Sequence, residues 1–226
     1  MKVIDNIHLI DGISYSNVFL IVDKDLTLID TGMPKNGKKI LEYISSLGFK
    51  PSDVKKIIIT HYHPDHMGSL FEVWTETKAD IFVHDIDSPY VAGKKGVPFP
   101  KGSKGFLYRF LPLFMKFKFV ESNKKLKNDD TIKNLKVIHT PGHTPGHICL
   151  YNPKRKILFS GDMFRVEKGQ ILSSDESFID NKEELEKSLL KISKLDFDVI
   201  CPGHGEVIKS GGKALLNKYL NQKMRR

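Results

Sequence analysis

The chain has 226 residues, 40% of them hydrophobic and 28% charged, with a mean hydropathy of −0.28. That is enough apolar material for one sizeable core and too much for an intrinsically disordered chain. No apolar run reaches the roughly 20 residues that a membrane-spanning helix needs, and the first residues lack a signal-peptide layout. Two cysteines, Cys149 and Cys201, cannot form a disulfide framework, so a cytoplasmic setting is the default expectation. The net charge is +9, and it is localised. Of 36 basic and 27 acidic residues, ten and one lie between Lys94 and Asn128, which leaves 26 of each elsewhere. The chain reads as an electrically balanced body, a single domain over 1–226, carrying a basic insert at about 94–128.

In chain order, Asn17–Val22 and Leu26–Ile29 are predicted strands, and Asp30-Thr31-Gly32 ends the second. Ile40, Leu41, Ile44 and Leu47 have helical spacing over Asn36–Leu47, with Gly48 as the residue just past the helix end. Lys56–Thr60 is a short buried-type strand, Met67–Thr77 a helix and Ile81–Val83 a brief strand. After the insert, Leu135–His139, His147–Tyr151 and Lys156–Ser160 have strand length. Asn181 caps a helix with Glu184 at N3, and Leu185, Leu189, Ile192 and Leu195 give it an apolar stripe. Asp198–Cys201 is a last strand and Gly211–Arg226 a last amphipathic helix. Strand clusters each followed by helices predict two packed sheets with helices outside.

Histidine and carboxylate gather directly after these strands. The clusters are His61-Tyr62-His63-Pro64-Asp65-His66, then His143 and His147 in Thr140-Pro141-Gly142-His143-Thr144-Pro145-Gly146-His147, then Asp162, and finally His204 in Cys201-Pro202-Gly203-His204-Gly205-Glu206. Neutral imidazole and carboxylate are ligands for zinc, manganese or iron. Confined charged imidazoles would repel one another, and a metal relieves this by requiring the neutral form. On a regular strand His61 and His63 would point to opposite faces, so both reach one ion only from a turn, which Pro64 favours. Seven candidates (His61, His63, Asp65, His66, His143, Asp162 and His204) exceed what one tetrahedral ion uses, so two adjacent divalent ions are expected.

This motif series, with Asp30-Thr31-Gly32 upstream, resembles the signature of the metallo-β-lactamase superfamily across roughly Asn17 to Glu206. The resemblance implies an αββα sandwich of two mixed β-sheets with helices on the outer faces. It also implies a first metal on His61, His63 and His143, a second on Asp65, His66 and His204, and Asp162 bridging both. Asp30 would brace the ligand loop, and His147 would orient a ligand. True β-lactamases typically carry Cys or Ser where Asp162 stands. The run from His139 to Cys149 resembles the glyoxalase II-like pattern, next to the lactonase-like branch. After Asp162 the chain reads Met163-Phe164-Arg165-Val166-Glu167, where glutathione-thioester hydrolases carry Gly-Cys-Gly-Arg.

The implied activity is a hydrolase, not a true β-lactamase, that uses metal-bound hydroxide on an ester, thioester or lactone, with Asp65 orienting the hydroxide. Zinc is the first expectation for the ions, with iron or manganese as alternatives. A mononuclear iron dioxygenase acting on persulfides would share the ligands. A nuclease would share the motif too, but relatives of that kind usually add a large domain or an RNA-clamping arm, so nucleic acid is disfavoured. The insert's seven aromatics admit three readings: a helix docked on the core, a lid over the metals, or a contact with a membrane surface or nucleic acid. In the lid reading Phe106, Phe110 and Phe114, with Arg165, contact a small-molecule substrate that is anionic and partly apolar.

Overall fold

A computed structural model of the chain describes residues 1–98, 100–101 and 118–223. It divides into two compact units, Met1–Leu126 and Lys127–Arg226. Among the described residues no helix is long and apolar enough to cross a membrane.

The first unit is built on a seven-stranded sheet whose spatial order is its chain order. Strands β1 (Lys2–Ile4), β2 (Ile7–Leu9), β3 (Phe19–Ile21) and β4 (Leu26–Ile29) form an antiparallel meander. Strands β5 (Val54–Ile59), β6 (Asp80–His84) and β7 (Lys124–Leu126) then add in parallel to β4. The parallel connections from β4 to β5 and from β5 to β6 need crossovers, which α1 (Gly37–Ser46) and α3 (Leu70–Thr77) supply. Ile40 and Ile44 of α1 and Leu70 and Val73 of α3 are buried with Leu28, Ile57 and Ile59 of the sheet in one apolar cluster. Gly48, at φ 84, follows α1 as expected, and its N–H donates to the Ser45 carbonyl.

One predicted helix divides. In place of a single helix over Met67–Thr77 there are two, α2 (Pro64–Met67) and α3. Pro64 sets the earlier start, because its fixed φ suits a first helical position and it holds His63 in extended backbone. The break falls at Gly68-Ser69, where a Cβ on Gly68 would sit 2.3 Å from the Pro64 carbonyl oxygen. There Ser69 Oγ accepts from the Asn36 N–H at 2.8 Å and donates to the Met33 carbonyl at 2.7 Å. A continuous helix would give up those ties to the turn after β4.

The second unit has a five-stranded sheet. Strands β8 (Thr131–Ile132), β9 (Leu135–His139), β10 (Ile148–Asn152) and β11 (Ile157–Gly161) are antiparallel, and β14 (Val199–Pro202) joins β11 in parallel. A separate hairpin of β12 (Arg165–Glu167) and β13 (Gln170–Leu172) leaves after β11. Helix α5 (Lys182–Ser193) starts at the Asn181 cap, whose side chain accepts from the Glu184 N–H at 3.1 Å. Leu185, Leu189 and Ile192 of α5 and Leu216 of α6 (Gly212–Lys223) are buried with Cys149, Leu158, Phe164 and Ile200. Both units thus rest on a mixed sheet with helices. The short α4 (Ser88–Val91) follows β6 in the first unit.

Candidate metal centre

Each unit carries part of the predicted ligand set at strand ends. In the first unit β4 and β5 run parallel, so their C-terminal ends lie side by side. Asp30 leaves β4 with φ 60, a conformation that Asp tolerates better than most residues. Its carboxylate accepts from the Thr60 N–H at 2.8 Å, the Thr60 hydroxyl at 2.8 Å and His66 Nδ1 at 2.8 Å. Asp30, His61 and His66 are buried.

These bonds determine which histidine nitrogens are left as electron-pair donors. A carboxylate only accepts, so His66 Nδ1 carries a proton toward Asp30, and in the neutral imidazole that a metal requires Nε2 keeps its lone pair. The Thr60 hydroxyl has one proton, and it goes to Asp30. It therefore accepts from His61 Nδ1, 3.0 Å away, which leaves His61 Nε2 as the donor atom. That Nε2 lies 3.1 Å from His63 Nδ1. Two nitrogens bound to one tetrahedral zinc at ~2.0–2.1 Å stand about 3.3 Å apart, so the spacing fits a shared ion. Asp65 lies in the first turn of α2, its Oδ2 3.7 Å from His66 Nε2, and its carbonyl accepts from Ser16 Oγ.

In the second unit the ends of β9, β11 and β14 supply His143, Asp162 and His204. The parallel pairing of β11 with β14 sets Gly161 against Pro202, so Asp162 and His204 come together from 42 residues apart. His204 Nε2 lies 3.0 Å and His143 Nε2 3.3 Å from Asp162 Oδ2, again the spacing of neighbouring ligands on an ion. Gly203 makes the room: a Cβ there would stand 2.2 Å from Asp162 Oδ1. Gly142, at φ 130, is pressed against α5, where a Cβ would meet the Leu185 nitrogen at 2.2 Å. The Gly142 carbonyl accepts from the Asn181 N–H and the His143 carbonyl from the Asp180 N–H, which ties the histidine loop to the start of α5.

His147 is buried and committed to the fold. The Asp162 N–H donates to its Nε2 at 2.9 Å, so its proton sits on Nδ1, 2.9 Å from Thr140 Oγ1. The imidazole is therefore neutral and holds the Asp162 backbone. Arg165 projects from the exposed side of the β12–β13 hairpin, its Nε 3.3 Å from Glu167 Oε1. Phe106, Phe110 and Phe114 lie outside the described residues. Burial pushes the Cys149 thiol up to about 12 and the Cys201 thiol higher still, so neither is a thiolate near neutral pH. Two positions escaped sequence reading: Thr60, which relays Asp30 to His61, and Asp87, whose Oδ2 accepts from the Tyr62 N–H at 3.2 Å. Each acts through a neighbouring strand, a relation that local spacing does not carry.

Residues 11–204 match the family profile of the metallo-beta-lactamase superfamily. A probable metallo-hydrolase of Bacillus subtilis, YflN, is 29% identical over 196 residues, covering 79% of this chain and 74% of its own length. The hydroxyacylglutathione hydrolase GloC of Haemophilus influenzae is 28% identical over 210 residues, covering 89% and 90%. Among solved structures, a metallo-beta-lactamase family protein of Thermus thermophilus superposes with a TM-score of 0.73 at 20% identity, over 99% of this chain and 81% of that one. A subclass B3 metallo-beta-lactamase of Bradyrhizobium japonicum gives 0.69 at 24%, over 100% and 93%. These structural likenesses establish the αββα fold class. With two mixed sheets, His/Asp clusters of the kind that hold divalent ions, and a profile match spanning most of its length, the chain belongs to the metallo-β-lactamase superfamily.

Proposed function

We propose that this protein is a hydrolase of small-molecule esters, thioesters or lactones, active with two divalent ions, zinc in the first instance. The reading treats 1–226 as one working domain in a cytoplasmic setting. His61, His63 and His143 would hold one ion, Asp65, His66 and His204 the other, and Asp162 both. When bound, such cations acidify water and polarise a carbonyl oxygen. The observation that carries the reading is the directed set of lone pairs: Asp30 leaves Nε2 of both His61 and His66 as donor atoms.

The chain's own residues do the rest. Asp65 orients the attacking water through its carboxylate, while Ser16 steadies its backbone. His147 keeps Asp162 in place through the backbone amide. A carboxylate at position 162, rather than Cys or Ser, supports esters and thioesters over β-lactams. The relative that hydrolyses hydroxyacylglutathione supports a thioester among the substrates. The basic segment between Lys94 and Asn128 supports a substrate with an anionic group, and its aromatics, with Phe106, Phe110 and Phe114 among them, an apolar one. In this reading Arg165 joins them as a substrate contact.

The test is a metal-loaded preparation assayed on aryl esters, acyl thioesters, lactones and a β-lactam. Turnover of at least one of the first three is expected, abolished by a chelator and restored by zinc, with the β-lactam far slower. A zinc-loaded protein that hydrolyses none of them, or that turns over the β-lactam as fast as the best ester, would sink the reading. Oxygen uptake with glutathione persulfide and bound iron would replace it by the dioxygenase.

A further inference from the structure

We infer that Asp87 is a positioning residue for the His61–His63 pair, a second carboxylate brace opposite Asp30; the inference rests on the metal-site reading above. Strand β5, which delivers the pair, lies between β4 and β6, and all three run parallel. Their C-terminal ends therefore share one edge of the sheet. From the β4 side Asp30 takes the N–H and hydroxyl of Thr60, just before the pair, and Nδ1 of His66, three residues after it. From the β6 side the chain continues through His84 to Asp87, whose Oδ2 takes the N–H of Tyr62, the residue between the two histidines.

The use Asp87 makes of its carboxylate is the telling feature. It stands at the N-cap of α4, where an Asp ordinarily accepts from an amide in the first turn of its own helix. Its side chain makes no such cap bond. Pro89, at N2, has removed one of the amides that could have claimed it. The carboxylate is completely buried and turned to the ligand loop. The loop side is equally fixed: Tyr62 is buried, and its ring stacks on Tyr90 of α4 at 4.3 Å between centroids. Asp87 and Tyr90 thus hold the middle residue by its amide and by its ring. His61-Tyr62-His63 is a turn whose two side chains share a direction only while the Tyr62 peptide keeps its orientation, and that peptide's N–H is what Asp87 accepts.

The experiment measures zinc affinity and the visible spectrum of the cobalt(II)-loaded protein for wild type, Asp87→Ala and Asp87→Asn. Residues that orient metal ligands typically contribute 10- to 100-fold in affinity. Asp87→Ala is expected to bind zinc ~10- to 100-fold more weakly with an altered cobalt spectrum. Asp87→Asn keeps a carbonyl oxygen for the Tyr62 N–H and is expected to restore both. A metal-binding wild type with an unchanged Asp87→Ala affinity and spectrum, or an Asp87→Asn protein as impaired as Asp87→Ala, overturns the brace alone. A wild type that binds no zinc overturns the metal site and the brace together. Should Asp87→Ala not fold, hydrogen exchange decides in the wild-type and Asp87→Asn chains: a Tyr62 amide that is strongly protected in both upholds the brace. One that exchanges like an open loop ends it.

Discussion

The Thr60 hydroxyl links the buried Asp30 carboxylate to His61, a proposed metal ligand, and its removal should act on stability and on metal binding at once. Thr60→Val keeps the shape but leaves Asp30 short of a donor and His61 Nδ1 short of an acceptor. A buried polar group left unsatisfied costs about 1–3 kcal/mol, and a ligand freed to change tautomer typically loses 10- to 100-fold in affinity. Thr60→Ser, which retains the hydroxyl, should stay close to wild type in both. Urea unfolding together with zinc titration of the two variants checks this. At this scale the sequence was informative about which side chains are ligand types, because imidazoles and carboxylates at strand ends stand out locally. It said little about how each is aimed. Thr60 and Asp87, which it did not single out, are brought to the histidines by strand pairing and by turns across the sheet edge.

Turns and caps show the same division between near and far. The Asn181 cap and the glycine after α1 were legible because both depend on residues within four positions. The hairpins β1–β2 and β12–β13 were not read, because three-residue strands offer too few alternations to declare a period. The β12–β13 turn still carries a signal. Lys168 and Gly169 have φ 50 and 67, as a type I′ turn requires, and the register places only these two residues in the loop. Lysine is strained there, while Asn-Gly is the preferred pair. Lys168→Asn is therefore expected to raise stability by roughly 0.5–1 kcal/mol, read as a higher urea midpoint with an unchanged slope.

Across the whole molecule, two properties of charge set the response to solution conditions. Cys149 and Cys201 are fully buried, with folded-state values raised above an ordinary 9.0, Cys149 to about 12. Between those limits the unfolded chain gives up thiol protons that the folded one retains, so stability falls as pH rises. The loss is up to about 1.4 kcal/mol per pH unit for each thiol, and is absent below the unfolded value. The drop in urea midpoint from pH 8 to pH 10 should shrink in Cys149→Ala and again when Cys201→Ala is added. The second property is the basic segment, visible in the sequence from charge counts alone. It should favour an anionic substrate over a neutral one with the same leaving group, and salt should remove the preference, since screening acts over ~10 Å at 0.1 M. An identical substrate profile at low and high salt would count against it. The division at Leu126 was not legible, because no Gly/Pro-rich linker marks it.

The parallel pairing of β11 with β14 also bears on how such a protein can diversify. Asp162 and His204 are neighbours because two strands are hydrogen-bonded, not because of what the chain does between them. The intervening stretch, with its hairpin, cap and helix α5, is an excursion that leaves the sheet at Gly161 and returns at Val199. Doubling the length of a flexible loop within it would cost only about 0.6 kcal/mol in closure entropy. The length of this excursion can thus vary while the ends of β11 and β14 stay in register. New specificities can be grafted there as insertions, with the chemistry left in place.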